Sequence, residues 1–212
     1  MTGRKRKTEG LPRSEDDYRT MFENAVVGIF RSTIDGRFLK TNRATARLLG
    51  FDSPEELMSS VTDIVNQIYV NPEDGKRYLK LIRKDGVIED FEAEMYRKDG
   101  TAIHVLLNAH IARDEKGAVR YVEGTAQDIT EKWKAEKALR QAEEKYRQIY
   151  ENAIEGIFQA SPEGRLISAN PALARILGYD SPRDLLNNVR NIVSQVYANE
   201  RRRKEYFYLM DT

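Results

Sequence analysis

Residues with chemically useful side chains are few in this chain and lie far apart. It contains two histidines, His104 and His110, and no cysteine, which excludes disulfides, thiolate metal sites and thiol nucleophiles. The two histidines have no carboxylate cluster beside them, so they make a poor metal site and are expected to be exposed or to face a partner. The adjacent Glu55 and Glu56 have neither a nucleophile nor a glycine-rich phosphate loop nearby. They are typical of a helix first turn, where acidic side chains complement the helix dipole. We therefore predict no catalytic residues and no metal site.

Composition narrows the class of protein further. The 212 residues are 40% hydrophobic and 33% charged, with a net charge of +1. That balance supports a packed core and argues against a nucleic-acid-binding protein, which normally has a clustered basic excess. The sequence contains no apolar run of the roughly 20 residues that span a bilayer, and its basic start lacks the apolar stretch of a signal peptide. We expect a cytoplasmic location and a solvated tail over residues 1–13.

An internal repeat organises the rest of the chain. The segment YRTMFENAVVGIF begins at Tyr18, and YRQIYENAIEGIF begins 128 residues later at Tyr146. The match continues without a gap through LGFDSP from Leu49 and LGYDSP from Leu177. This period exceeds that of any solenoid repeat, so the pattern indicates a duplicated domain. We call the two occurrences copy one and copy two; copy two stops opposite Lys84, so we expect it to be incomplete.

Copy one has the pattern of a helix, two strands, three helices and three strands. Asp35 and Gly36 favour a turn between the first two strands, and Ser53 and Asn71 each precede a proline as helix N-caps do. Residues 87–97, 101–113 and 118–129 alternate between apolar and polar, which predicts an antiparallel meander. We therefore predict an α+β fold: a five-stranded antiparallel sheet with helices on one face, followed by a helical linker and a partial second domain.

In this context the sequence resembles the PAS family of sensor domains. The resemblance is carried by ENAVVGIF and DGRFLKTNRATARLLGF, by their repeat in copy two, by the block EDFEAEMYRKDGTAIHVLLNAHIARDEKGAVRYVEGTAQDIT, and by its closing Asp128-Ile129-Thr130. It implies a PAS domain with a PAC-type C-terminal motif. It also implies a sensory or dimerising module within a larger receptor, commonly a histidine kinase or a cyclic-di-GMP enzyme with a downstream output domain. It does not identify what is sensed.

The resemblance also implies which residues a haem or flavin would need in this chain. Haem-binding members usually place a histidine on the helix before the three-strand block, and that helix has none here. Covalent flavin photochemistry needs a cysteine, which the chain lacks. Non-covalent flavin binding is the alternative, but family members that bind flavin in this way often place an aromatic residue or a tryptophan in the pocket. The only tryptophan here, Trp133, is expected to lie outside the fold. We therefore predict no cofactor. Asn42 and Asn170 are expected to cap the helices that follow them.

The inner face of the sheet offers a candidate ligand pocket. By analogy with the family, Gly124 and Ala126 are small enough to leave room against the helices. That room is either a cavity for an unidentified small molecule or filled by core side chains, and filling is the favoured interpretation. The candidate pocket residues are Phe30, Ile64, Tyr78, Phe91, Val105, Leu107, Ala109, Val122, Gly124 and Ala126.

The linker has the pattern of a coiled coil. Its apolar residues follow a 4-3-4-3-4 spacing, as in a heptad seam, and charged side chains surround them. The alternative is that this stripe packs on the sheet of its own domain; we favour a homodimer through paired helices. The seam residues are Ala135, Leu139, Ala142, Tyr146, Ile149 and Ala153.

These observations predict a domain order of tail (1–13), PAS domain (14–129), signalling helix (130–152) and partial PAS domain (153–212). The predicted function is a cytoplasmic sensory and dimerisation module that relays a signal through the inter-domain helix. The alternative is a scaffold without a ligand that only sets dimer geometry.

Overall fold

The computed structural model describes residues 14–196. The chain divides into two compact units between Ala135 and Glu136. The first unit contains, in chain order, α1 (Ser14–Asn24), β1 (Gly28–Ser32), β2 (Phe38–Thr41), α2 (Arg43–Leu48), α3 (Pro54–Ser60), α4 (Ile64–Gln67), α5 (Pro72–Asp85), β3 (Val87–Tyr96), β4 (Ala102–Arg113) and β5 (Val119–Asp128). Helix α6 (Thr130–Asn152) follows, and then β6 (Phe158–Ala160), β7 (Leu166–Ala169), α7 (Pro171–Ile176), α8 (Pro182–Asn188) and α9 (Ile192–Gln195).

The five strands of the first unit form one antiparallel sheet in the order β2-β1-β5-β4-β3. The chain leaves the sheet at the β2 edge, forms four helices and re-enters at the opposite edge, after which β3, β4 and β5 run as a meander. This confirms the predicted α+β fold. The short α4 was not predicted, since its four residues are too few to show a helical period.

The buried core lies between one face of this sheet and the helices. In β4 the alternating residues Ile103, Val105 and Leu107 are buried. Ile111, which belongs to the same alternating series, is only half-buried. It lies near the end of β4, where the pairing with β5 becomes irregular, so the helices cover it less.

Helix ends follow the predicted capping chemistry. The side chain of Ser53 accepts a hydrogen bond from the backbone of Glu56 at 3.1 Å, and that of Asn71 accepts from Glu73 at 3.1 Å. Helix α5 ends at Gly86, whose φ of 74° is the left-handed conformation that glycine adopts most easily.

A bulge in β3 sets which of its residues face the core. The pairing of β3 with β4 shifts between Ile88 and Phe91, and Asp90 adopts a φ of 50°. The backbone N–H of Asp90 donates to Oδ1 of Asn108 at 2.9 Å, which stabilises the distortion. Because of the extra residue, Ile88 and Phe91 are both buried although they are three positions apart.

The second unit has a smaller core. Strands β6 and β7 form a two-stranded antiparallel sheet, and Leu166, Leu185, Val189 and Ile192 are buried around it. Because copy two was expected to be incomplete, some of its apolar residues were expected to lack full cover. Ile176 is 63% exposed, whereas Leu173 is buried within this cluster. The predicted copy-two domain extends to residue 212, and its part beyond residue 196 lies outside the described residues.

Helix α6 runs without a break for 23 residues. It contains no glycine or proline and is rich in good helix formers. None of the helices within residues 14–196 has the length and apolar character needed to cross a membrane.

Candidate functional site

Copy one encloses a cavity of about 40 Å³ between the inner face of its sheet and helices α2, α4 and α5. Its wall is almost entirely apolar. Six of the ten predicted pocket residues line it: Phe30, Ile64, Tyr78, Leu107, Val122 and Ala126. Ser32, Thr45, Tyr69 and Met95 also line it and were not predicted. Ser32 could have been found from the sequence, because it follows Phe30 by two residues in a strand and so shares its face.

Four predicted pocket residues do not line the cavity. Phe91, Val105 and Ala109 are buried in the surrounding core. Gly124 was expected to leave room, but a Cβ atom there would lie 2.5 Å from the carbonyl oxygen of Asn108 and 2.9 Å from Cζ of Phe30. The absence of a side chain at Gly124 therefore allows β4 and the ring of Phe30 to approach it closely. These neighbours already fill the space, so it is not part of the cavity.

Tyr78 is the distinctive polar residue of the cavity wall. Tyr78 is 6% exposed, and its ring packs edge-on against Phe91 with centroids 5.6 Å apart. Its hydroxyl is buried and has no hydrogen-bond partner. Burial raises the pKa of Tyr78 above its usual value, so the group stays a neutral hydroxyl that can donate a hydrogen bond.

The two copies differ at two of the polar positions of this wall. Ser32 and Thr45 of copy one correspond to Ala160 and Leu173 of copy two, so both hydroxyls are absent there. Tyr78 is matched by another tyrosine, Tyr206.

The acidic and histidine side chains that the sequence analysis considered for catalysis or metal binding do not form such a site among the described residues. Glu56 pairs with Lys98 and also accepts a hydrogen bond from the backbone of Asp52 at 2.8 Å. The hydrogen bond from Lys98 is the main reason why the pKa of Glu56 is lowered. His110 is exposed. Among residues 14–196, no three metal-ligating side chains cluster.

The junction between β5 and α6 is anchored to the sheet. Asp128 accepts a hydrogen bond from the backbone of Thr130 at 2.8 Å and pairs with Nη2 of Arg97, the residue directly after β3, at 2.9 Å. Burial acts to raise the pKa of Asp128, but the hydrogen bonds from Thr130 and Arg97 outweigh it and lower that pKa. The hydroxyl of Thr130 in turn accepts from the backbone of His104 at 3.0 Å. The start of α6 is thus tied to β3 and β4 by side chains on both sides of the junction.

Trp133 adds an aromatic contact at the same place. It was expected to lie outside the fold, but its ring stacks on His104 of β4 with centroids 3.7 Å apart and an angle of 17°. The first turn of α6 brings Trp133 back over the outer face of the sheet, since the helix starts directly after the last strand. His104 also lies 3.8 Å from Glu94 of β3, measured from Nε2 to Oε1.

The predicted seam lies on an exposed stripe of α6. Leu139, Tyr146 and Ile149 are 60%, 62% and 58% exposed, although all three are large apolar side chains. Ala153, the last predicted seam residue, is outside the helix, which ends at Asn152. The chain turns there to enter copy two, so a coiled coil could use only the earlier seam positions.

Comparison with known proteins identifies both copies. One family model, described as a PAS domain, matches residues 25–131, and a second with the same description matches residues 144–208.

Two curated proteins are related over much of the chain. Sporulation kinase E of Bacillus subtilis (strain 168) is 22% identical over 191 residues, which cover 87% of this chain and 24% of the kinase. The probable diguanylate cyclase DgcE of Escherichia coli (strain K12) is 27% identical over 139 residues, covering 64% of this chain and 12% of that protein. The chain therefore spans a quarter or less of the length of these relatives.

Among solved structures, an RNA-binding light-oxygen-voltage receptor superposes with a TM-score of 0.52 at 20% identity. The superposition covers 65% of this chain and 40% of the receptor. This likeness concerns the fold alone.

Proposed function

Because the chain belongs to the PAS domain family, we propose that it is a sensory and dimerisation module from the cytoplasmic portion of a signal transducer. In this proposal copy one senses, and helix α6 relays its state to copy two and to an output domain. The observation that carries it is the anchored junction, where β5 passes directly into α6 and Asp128, Thr130 and Trp133 hold the first turn to the sheet. A displacement of the sheet would therefore also move the first turn of α6.

The domain limits of the proposal are 14–129 for copy one, 130–152 for the signalling helix and 153–212 for copy two. Catalysis is assigned to neither copy. The relation to a sporulation kinase and a probable diguanylate cyclase supports an output domain of the histidine kinase or cyclic-di-GMP type in the parent protein.

The cavity of copy one restricts the ligand. At about 40 Å³ it is far smaller than the engineered apolar cavity of about 150 Å³ that holds benzene. The matching ligand is a neutral molecule of a few heavy atoms with one hydrogen-bond acceptor for the Tyr78 hydroxyl. Acetone has these properties and serves as a probe.

Binding of acetone is measured by the shifts that it causes in the NMR spectrum of the chain. We expect shifts at residues around the cavity, and weaker binding to Tyr78→Phe because the hydroxyl is lost. Equal binding by the two proteins would remove Tyr78 from the proposed ligand site.

Dimerisation is proposed to occur through the exposed seam of α6. Leu139 is its first large residue, and burying it against a second copy would remove apolar surface from water. Leu139→Asp should shift the sedimentation coefficient towards that of a monomer. Gln141→Asp is the matched control, because it adds the same charge two residues away on a different face of the helix. An unchanged dimer in Leu139→Asp would exclude the seam as the interface.

The alternative function is a scaffold without a ligand, and the small size of the cavity is the observation that favours it. A scaffold would keep the dimer and the Leu139 dependence but would show no acetone shifts around the cavity. The two experiments together therefore separate sensing from dimerisation.

A further inference from the structure

Two buried asparagines occupy the same position in the two copies. Asn42 and Asn170 are 128 residues apart, and each is 0% exposed. Oδ1 of Asn170 accepts hydrogen bonds from the backbone of Leu173 and of Ile157, both at 2.9 Å. The first of these caps helix α7, as predicted from the sequence, and the second holds the segment that leads into β6.

The amide nitrogen of Asn170 makes contacts that capping does not require. Nδ2 donates to the carbonyl oxygens of Tyr150 at 3.1 Å and of Glu155 at 2.9 Å. Tyr150 lies in the last turn of α6, where helix carbonyls have no partner within the helix. With two donors and two acceptor bonds in use, the side chain exhausts its hydrogen-bonding capacity.

We propose that Asn170 is the positioning residue that fastens the end of α6 to copy two, so that movement of the helix is passed into β6 and α7. This inference rests on the proposed relay through α6. A cap alone is served by serine, threonine or aspartate. The two N–H donors are what asparagine adds, and both are directed at the helix end and the turn that follows it.

Comparison with copy one indicates that Asn170 contributes more to holding its preceding helix, α6, than Asn42 contributes to holding α1. Asn42 makes the corresponding bonds to the carbonyls of Phe22 and Val27, each at 3.0 Å. There, however, α1 is held by further polar groups: Nη2 of Arg31 donates to the hydroxyl of Tyr18 at 3.0 Å, and the ammonium of Lys40 lies 4.5 Å from the ring centroid of Phe22.

Copy two lacks those additional attachments at the matching positions. Gln159 and Ser168 replace Arg31 and Lys40, and their side chains bond to each other at 3.3 Å. Neither replacement carries a positive charge that could hold the aromatic side chains of the helix. Asn170 therefore contributes a larger share of the polar contacts that hold the end of α6 than Asn42 does for α1.

The test uses Asn170→Ser in the full chain, with Asn42→Ser as the matched control. Serine keeps an oxygen that can cap α7 and removes both amide N–H donors. Amide exchange over residues 148–155 should become about ten- to hundredfold faster in Asn170→Ser, as expected for losing buried hydrogen bonds, while residues 172–176 keep their protection. Asn42→Ser should accelerate exchange at the end of α1 by a smaller factor. Unchanged exchange over 148–155, or an equal effect of the two variants, would overturn the proposal.

A second measurement separates this inference from the relay itself. Val105→Ala loosens copy one, and the relay predicts that it also changes exchange in β7 and α7. Loss of that response in Asn170→Ser supports the positioning role, and a persisting response overturns it. If Val105→Ala has no effect on copy two even with Asn170 in place, the relay fails, while the exchange over 148–155 still decides the attachment. Should Asn170→Ser expose α7 as well, Asn170→Asp repeats the test, since it keeps an oxygen that can accept from Leu173 and Ile157 and lacks the N–H donors.

Discussion

Replacing Tyr78 with phenylalanine should stabilise copy one. The substitution removes the buried hydroxyl that has no hydrogen-bond partner and keeps the ring that packs on Phe91. Burying a hydroxyl without a hydrogen bond costs about 1–3 kcal/mol in protein mutational data. The lost van der Waals contacts of the oxygen offset part of that gain. We therefore expect the free energy of unfolding to rise by about 1 kcal/mol, at the lower end of that range.

The assay is urea unfolding followed by tryptophan emission. Trp133 is the only tryptophan in the chain and stacks on β4, so its emission reports the unfolding of copy one specifically. Tyr96→Phe is the control, because Tyr96 is 42% exposed and should change stability by less than about 0.5 kcal/mol. A loss of about 1 kcal/mol or more in Tyr78→Phe would refute the reasoning, since the hydroxyl would then have a partner in the folded protein.

Three further outcomes are expected from other parts of copy one. Leu107→Ala should lower the free energy of unfolding by about 2–5 kcal/mol, because a fully buried leucine leaves a cavity; a loss below about 0.5 kcal/mol would mean that the strand faces are assigned wrongly. His104→Ala should shift the emission of Trp133 to longer wavelength and speed amide exchange in the first turn of α6, whereas the exposed His110→Ala should do neither. The pKa of Asp128 is lowered in the folded protein, so its stabilising contribution is complete above the unfolded pKa of about 3.9 and is lost as the pH falls through the lowered folded value. Asp128→Asn should therefore flatten this part of the acid dependence in urea unfolding at pH 3 to 6, and an unaltered slope would contradict it.

The fold could be predicted from the sequence because its determinants are local and repeated. Alternation of apolar residues specified β3, β4 and β5, and proline after Ser53 or Asn71 specified where helices begin. The duplication strengthened these assignments, since each motif of the first two strands and α2 occurs twice.

Features that depend on contacts between distant residues were not predictable in this way. The bulge at Asp90 needs the side chain of Asn108 on the next strand, and the stack of Trp133 on His104 depends on the angle at which α6 leaves β5. Asn170 was recognised as a cap, because capping is local. Its bonds to Tyr150 and Glu155 reach back 20 and 15 residues and required the folded chain.

The candidate pocket shows the same division. The family resemblance implied that Phe30, Leu107, Val122 and Ala126 lie on the inner face, and they line the cavity. The resemblance alone does not say which inner residues border empty space, since that depends on how the side chains of helices and sheet interlock. Gly124 was assigned to the cavity for its size, whereas its neighbours already occupy that volume.

The central claim is that the state of the copy-one cavity is relayed to α6. Hydrogen exchange over residues 130–149 of the intact chain, with and without saturating acetone, tests it most directly. None of these residues lines the cavity, so an effect there must pass through the sheet and the anchored junction. We expect acetone to change exchange along α6 and expect this change to be lost in Tyr78→Phe. Exchange that stays the same along α6 while acetone occupies the cavity would contradict the relay.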